Sequence, residues 1–215
     1  MYRFIYLAAG YSSRFGENKL LAAYRGRPMF SCLLTELLKV CASRALEADV
    51  TVVTQYGEIL DWCREREEGR SGLLQTVVNP DPARGIASSL RCGIEAAVEK
   101  KPLMPEDRLV CFVADQPSLR GASVVAFLES AGKAGAVLAC CGRADGSLGN
   151  PCLFAPGYVP ELMALEGDRG GKRVIMRHRE EVFIFRGVPE EELSDIDTLQ
   201  KMEEAERRAA SLENM

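Results

Sequence analysis

The stretch Arg3-Phe4-Ile5-Tyr6-Leu7-Ala8-Ala9-Gly10-Tyr11-Ser12-Ser13-Arg14-Phe15-Gly16-Glu17-Asn18-Lys19-Leu20-Leu21 holds a strand and a loop in immediate succession. Arg3–Ala8 is almost wholly apolar, and it gives way to small residues and a glycine. An apolar run without polar alternation predicts a strand covered on both faces, as in a parallel sheet. The loop that follows carries two cations, Arg14 and Lys19. Small residues let backbone N–H groups approach a phosphate closely, and Ser12 and Ser13 add donors. Arg14 offers a bidentate clamp for phosphate oxygens, and Lys19 a mobile point charge. Two commoner nucleotide loops do not fit. GxGxxG fails because the glycines stand at 10 and 16, and GxxxxGK[ST] fails both here and at Gly170-Gly171-Lys172-Arg173.

Continuous apolar runs recur at Val50–Thr54, Leu74–Asn79, Leu109–Ala114, Ala136–Cys141, Cys152–Ala155 and Val182–Phe185. Between them, helices are expected over Met29–Arg44, Glu58–Glu68, Ser88–Lys100, Ala122–Ala131, Tyr158–Leu165 and Gly171–His178, with Pro28 suited to a first helical turn. A last helix is expected over Leu199–Leu212, where Leu199, Met202, Ala209 and Leu212 form one thin apolar stripe among charges. Strand and helix alternate without repeats or a linker. The expected fold class is therefore α/β with a mostly parallel central sheet, in a single domain over 1–215. Ligands in such sheets bind outside the carboxyl ends of the strands, so functional residues are expected just after them.

The composition is that of an ordinary globular protein with a core: 215 residues, 47% hydrophobic and 27% charged. A net charge of -4, with neither a basic stripe nor an aromatic platform, speaks against nucleic acid as a partner. No apolar run reaches the roughly 18 residues a spanning helix needs. The first apolar segment lacks the features of a signal peptide, and no lipidation motif is seen. A cytoplasmic protein with no membrane partner is expected. The eight cysteines (Cys32, Cys41, Cys63, Cys92, Cys111, Cys140, Cys141, Cys152) form no CxxC pair, and several lie in apolar runs. Buried, reduced thiols are the expectation. The single histidine, His178, excludes a multi-histidine zinc site, and a Ser-His-Asp triad would have to pass through it.

Val110-Cys111-Phe112-Val113-Ala114-Asp115-Gln116-Pro117 is an apolar strand ending in an acid. A carboxylate there is well placed to hold Mg²⁺, a hard cation that prefers oxygen ligands. Taken alone, Asp115 reads equally as a turn or cap residue before a proline.

Together these strings carry a resemblance. LAAGYSSRFGENKLL resembles the signature LAxGxSxRxGxxK of the nucleotidyltransferases that include molybdenum cofactor cytidylyltransferase and its guanylyltransferase relative, and every fixed position is met. The resemblance runs from about Phe4 to Thr198. It implies a Rossmann-like, three-layer α/β/α fold with the nucleotide at the carboxyl edge of the sheet. Leu7, Ala8, Ala9, Gly10, Ser12, Ser13, Arg14 and Lys19 would surround that nucleotide. In that family LAAG accompanies pyrimidine nucleotides and LAGG guanine, so Ala9 favours CTP. Ala114–Pro117 resembles the family's (G/A)D(M/Q)P motif, whose aspartate binds the metal; Mg²⁺ is expected, with Mn²⁺ as the alternative.

Ser194-Asp195-Ile196-Asp197-Thr198 resembles the family's DIDTP stretch. This implies Asp195 as the second metal contact. Asp197 is less favoured, because an aspartate just before a helix reads as its N-cap. Leu199 stands where the family often has proline. Asn79–Leu90 resembles G-x-(G/A)-S-S-L, which implies that Asn79, Gly85, Ser88 and Ser89 adjoin the base and ribose; Ser88 reads also as a helix cap. Gly149–Phe154 resembles GHP-x-LF with Asn150 in place of histidine. Gly167–Lys172 resembles GDxGxR with Lys172 in place of arginine. From these two segments, Asn150, Pro151, Gly167, Asp168, Gly170 and Lys172 are the expected acceptor contacts.

The reaction so implied moves CMP from CTP onto the molybdopterin form of molybdenum cofactor and releases pyrophosphate. Catalysis then rests on positioning and electrostatics, with Arg14, Lys19 and Asp115 as the catalytic set. A phosphate nucleophile is already ionised near neutral pH, so no general base is required. A molybdenum hydroxylase is the expected client. Two other enzymatic readings stay open: another phosphorylated acceptor, such as a sugar or alcohol phosphate, and GTP-dependent guanylyl transfer, which Ala9 disfavours. A reading of another class is a non-catalytic molybdenum cofactor carrier for hydroxylase maturation, against which intact Arg14, Lys19 and Asp115 speak.

Overall fold

The computed structural model describes residues 1–11, 18–43, 45–67 and 72–213, with side chains as far as 207. Strand β1 (Tyr2–Ala8) leads to a small hairpin, β2 (Ala23–Tyr24) and β3 (Arg27–Pro28). Helix α1 (Met29–Ala42), β4 (Ala48–Thr54), α2 (Gly57–Glu67) and β5 (Leu74–Val78) follow. Then come α3 (Ile86–Lys100), β6 (Arg108–Val113), α4 (Gly121–Lys133), β7 (Leu138–Gly142) and β8 (Leu148–Phe154). The chain continues through α5 (Val159–Met163), α6 (Lys172–Arg177), β9 (Val182–Phe185) and α7 (Leu199–Glu213).

Seven strands form one sheet in the order β5-β4-β1-β6-β8-β7-β9. β1 pairs in parallel with β4 and with β6, and β4 with β5. β8 alone runs against its neighbours, antiparallel to both β6 and β7, while β9 is parallel to β7. The sheet is therefore mostly parallel, as expected from the continuous apolar runs. One hydrophobic cluster sits between the sheet and α1, α2 and α4 (Leu33, Leu37, Ile59, Phe127). A second sits between the other face and α3, α5 and α6 (Leu90, Ile94, Leu162, Val174). These are the three layers. Helix α7 joins the body through a small separate cluster, in which Met202 and Ala205 pack by Tyr24, Met29 and Ile196.

Some boundaries differ from the sequence reading. Pro28 lies in the hairpin and caps α1 rather than entering it. β8 begins at Leu148, not Cys152. Its direction follows from the connection: only residues 143–147 join β7 to β8, which permits a hairpin and not the crossover of roughly a dozen residues that a parallel pair needs. Gly146 takes the left-handed conformation that this turn requires, with φ +80°. The cysteines are all free; seven are buried and Cys92 is half-buried. Burial pushes the Cys111 thiol up to about 12, so it stays protonated.

From β1 the chain moves outward through β4 to β5, then returns to β6 on the opposite side of β1. The strand order thus reverses between β1 and β6, and a crevice opens where their carboxyl ends diverge. Those ends carry Ala8-Ala9-Gly10 and Ala114-Asp115.

Candidate active site

Lys19 is fixed by a turn. Asn18 Oδ1 accepts from the Leu20 N–H at 3.1 Å, and the Asn18 carbonyl accepts from Leu21 at 3.0 Å. Leu20 is buried and its carbonyl accepts from Phe30, which anchors the turn to α1. The Lys19 ammonium then donates to Asp115 Oδ2 at 2.9 Å and to Asp197 Oδ1 at 3.1 Å. Burial works against the Lys19 charge, yet Asp115 and Asp197 outweigh it and hold its pKa above the ordinary value. Asp115 is delivered by β6, and its own carbonyl accepts from the Ile196 N–H at 2.9 Å. That bond lays the segment 195–197 across the end of the strand.

Asp197 is not the cap of α7. Thr198 Oγ1 accepts from the Lys201 N–H at 3.2 Å, so capping falls to Thr198, and Asp197 is left to pair with Lys19. Burial of Asp197 is outweighed by the Lys19 hydrogen bond and by the charges of Lys19 and Lys201, and its pKa lies below the ordinary range. Asp195 behaves oppositely. Burial first, then the Asp115 charge, raises its pKa, although Arg143 and a hydrogen bond from Gln116 oppose this. Gln116 Nε2 donates to Asp195 Oδ1 at 2.8 Å, and Arg143 lies 3.7 Å from Oδ2. Among the described residues, no three His, Cys, Asp or Glu side chains converge into a metal cage. The carboxylates of Asp115, Asp195 and Asp197 nevertheless suit a hard divalent cation, and a cationic ammonium already stands between two of them. Oxygen ligands for the remaining positions are what phosphates and water provide.

Beside Lys19 and Asp115 lies a cleft of about 420 Å³, walled by Leu7, Ala9, Gly10, Gly85, Ser89 and Asp168 among others. Asn79 sits beneath it, 2% exposed, and donates through Nδ2 to Ser88 Oγ and Ser89 Oγ, each at 2.9 Å. It ties the first turn of α3 to the end of β5 and stands outside the cleft's lining. Ala8 and Ser88 are likewise buried below. Ser88 is not the cap of α3: Gly85 holds that position, and Ser88 Oγ bonds back to the Gly85 carbonyl at 2.9 Å. Gly85 has φ +83°, and a Cβ there would stand 2.5 Å from the Gly167 backbone. The Ala87 N–H donates to the Gly167 carbonyl at 3.1 Å. The 167–170 loop is therefore docked on the start of α3, which brings Asp168 to the cleft. The other expected acceptor residues stand apart from its lining. Asn150 and Pro151 lie in β8, and Lys172 is exposed at the start of α6.

A larger cavity of about 920 Å³ is lined by Pro117–Arg120 and Ser194–Ile196, with cations (Arg25, Arg27, Arg143, Lys201) and acids (Glu36, Glu191, Glu204) both on its border. Asp195 belongs to this side, whereas Asp115 belongs to the cleft. Arg14, Ser12 and Ser13 lie outside the described residues.

Sequence reasoning missed Gln116 and Arg143, which brace Asp195, and the turn Thr54-Gln55-Tyr56, whose side chains bond the carbonyls of Ala8, Ala9 and Gly10. That turn follows the carboxyl end of β4, so the rule that placed the other motifs pointed to it as well.

Residues 4–182 match the model of the MobA-like NTP transferase domain family. The chain is 27% identical over 210 residues, 96% of each chain, to the purine catabolism protein PucB of Bacillus subtilis (strain 168). Among solved structures, it is similar to Rv0371c of Mycobacterium tuberculosis H37Rv in complex with manganese (TM-score 0.64, 22% identity, 96% of this chain and 98% of that one). It is similar too to a CMP:2-keto-3-deoxy-manno-octonic acid synthetase complexed with CTP (TM-score 0.68, 13% identity, 98% of both). Among the described residues, no helix is long and apolar enough to cross a membrane.

Proposed function

This chain belongs to the MobA-like NTP transferase domain family, and we propose that it transfers CMP from CTP to the molybdopterin form of molybdenum cofactor, with release of pyrophosphate. The observation that carries this reading is the Lys19–Asp115 pair at the reversal of strand order, at the mouth of a nucleotide-sized cleft. Lys19 offsets charge on the triphosphate and on the leaving pyrophosphate, and Arg14 of the same loop does so with it. Ala9 lines the cleft and favours the pyrimidine. Asp115 and Asp195 would hold Mg²⁺ or Mn²⁺, with Asp197 as the alternative to Asp195; such an ion stabilises charge on phosphate oxygens. The relative bound to CTP and the relative bound to manganese support the choice of nucleotide and ion.

The acceptor phosphate attacks the α-phosphorus in line with the leaving group, so the acceptor enters on one side and pyrophosphate departs on the opposite side. The larger cavity, which Asp195 lines together with Arg25, Arg27, Arg143, Glu191 and Glu204, is the space proposed for the acceptor. A molybdenum hydroxylase would then receive the product. Pyrophosphate release by the purified protein, with molybdopterin and each of CTP, UTP, GTP and ATP, tests the proposal. Release with CTP and acceptor together is expected. Release with GTP alone among the four would overturn the base assignment, and release with a sugar or alcohol phosphate but not molybdopterin would overturn the acceptor.

A further inference from the structure

Three consecutive side chains, from the last residue of β4 into the turn after it, reach three consecutive carbonyls at the end of β1 and the start of its loop. Thr54 Oγ1 donates to the Ala8 carbonyl at 3.0 Å, Gln55 Nε2 to Ala9 at 2.7 Å, and the Tyr56 hydroxyl to Gly10 at 2.9 Å. The brace is tied within itself. Gln55 Nε2 also donates to the Tyr56 oxygen at 3.3 Å, and the Tyr56 N–H donates to Thr54 Oγ1 at 3.1 Å. Burial first, then Tyr11 and Glu58, raises the Tyr56 pKa, so its hydroxyl keeps the proton it donates.

A peptide unit is flat and trans, so its N–H points opposite to its C=O. Holding the carbonyls of Ala8, Ala9 and Gly10 against the β4–α2 turn directs the N–H groups of Ala9, Gly10 and Tyr11 the other way. Those three residues line the cleft. A Cβ built on Gly10 would meet no atom within 4 Å, so space is left beside its backbone. Successive N–H groups aimed into such a concavity bind anions.

We infer that Thr54, Gln55 and Tyr56 are positioning residues that aim the backbone N–H groups of Ala9 to Tyr11 into the cleft as a preformed nest for the polyphosphate of an NTP. This rests on the reading of the cleft as an NTP site. These backbone N–H groups meet phosphate oxygens, which every NTP shares; the pyrimidine preference proposed above belongs to the Ala9 side chain. Loss of the nest therefore weakens every NTP and inorganic pyrophosphate alike, raising KM while kcat stays nearly unchanged.

Titration calorimetry with Mg·CTP, Mg·GTP and magnesium pyrophosphate, beside steady-state kinetics, tests it. Gln55→Glu keeps the shape but sets a carboxylate against the Ala9 carbonyl; about tenfold weaker binding of CTP and pyrophosphate is expected, the scale of one buried hydrogen bond turned to repulsion. Tyr56→Phe removes one hydroxyl and should weaken both about threefold on the scale of one ordinary hydrogen bond. Thr54→Ser, which keeps its donor, should bind as wild type. If Gln55→Glu fails to fold, Tyr56→Phe carries the test. Variants with wild-type melting temperatures that bind CTP and pyrophosphate as tightly as wild type would overturn the brace alone. A wild-type protein that binds no NTP would overturn the reading of the cleft instead.

Discussion

The two edges of the central sheet hold similar side chains in opposite conditions. At the amino edge, Arg3 is fully buried in the second position of β1. Its Nε lies 3.0 Å from Asp49 Oδ1, and its terminal nitrogens donate to the carbonyls of Lys101 and Ala97. Asp49 takes Lys100 as a further partner at 3.3 Å, and nearby Asp107 holds the amino terminus at 3.1 Å. At the carboxyl edge of the same strand, three carboxylates, Asp115, Asp195 and Asp197, gather around Lys19 and Arg143 and stay between a quarter and a half exposed. One edge has satisfied its charges with its own groups and shut out water. The other keeps its carboxylates partly open to water, and burial beside the Asp115 charge raises the pKa of one of them, Asp195.

The sharpest way to break this contrast is to exchange the consequences. Arg3→Met leaves Asp49 and two carbonyls without their buried donor, and losing one partner of a buried pair costs about 3–5 kcal/mol. Denaturant unfolding should show that loss, while KM for the NTP stays at its wild-type value in protein that remains folded. A large rise in KM would mean that the two edges are coupled. Asp115→Asn should do the reverse. Turnover is expected to fall at least ~10²-fold, the scale of one preorganised charge contact, with a melting temperature close to wild type. A fully active variant would remove Asp115 from the mechanism.

Asp195 gives a finer comparison. Its proton is held more tightly in the folded chain than in the unfolded one, so its contribution to stability is full below its ordinary value of 3.8 and is lost as pH rises through the raised value. Asp195→Asn removes that loss. Its melting temperature should exceed wild type near neutral pH, and the gain should shrink on acidification towards 3.8, even as activity falls. A variant less stable than wild type at neutral pH would place Asp195 with the satisfied charges instead. The smallest effect lies away from both edges. His178 Nε2 sits 2.7 Å from Glu161 and Nδ1 3.4 Å from Glu181; the Glu161 hydrogen bond leads in raising its pKa. Its stabilisation is present below 6.5 and lost as pH rises through the raised value, so His178→Gln should flatten the melting temperature against pH across that window.

Much of the fold was legible in the sequence because buried parallel strands are continuous apolar runs, and their periodicity is local. Val182–Phe185 appears where it was expected. The reversal of β8 was legible in principle, since Asp145-Gly146 in a five-residue connection is a hairpin signal. It was missed because Gly149-Asn150-Pro151 interrupts the apolar run. The candidate site was legible where chemistry clusters in one string: Lys19 and Asp115 stand out in their own motifs, and the fold pairs them. It was not legible where a residue answers to a distant partner. Asp197 reads locally as a cap, and only the fold brings it to Lys19, 178 positions away. Thr54, Gln55 and Tyr56 carry no motif; the strand end marks their place, but their bonds to the carbonyls of Ala8, Ala9 and Gly10 appear only when β4 is laid beside β1.

Equilibrium binding of CTP, UTP, GTP and ATP with Mg²⁺, measured by thermal shift on wild type and Asp115→Asn, tests the central claim most directly. A CTP-selective rise in melting temperature that disappears in Asp115→Asn is the predicted result. No shift with any nucleotide would contradict the assignment of the carboxyl edge as a nucleotidyl-transfer site and turn attention to a non-catalytic carrier.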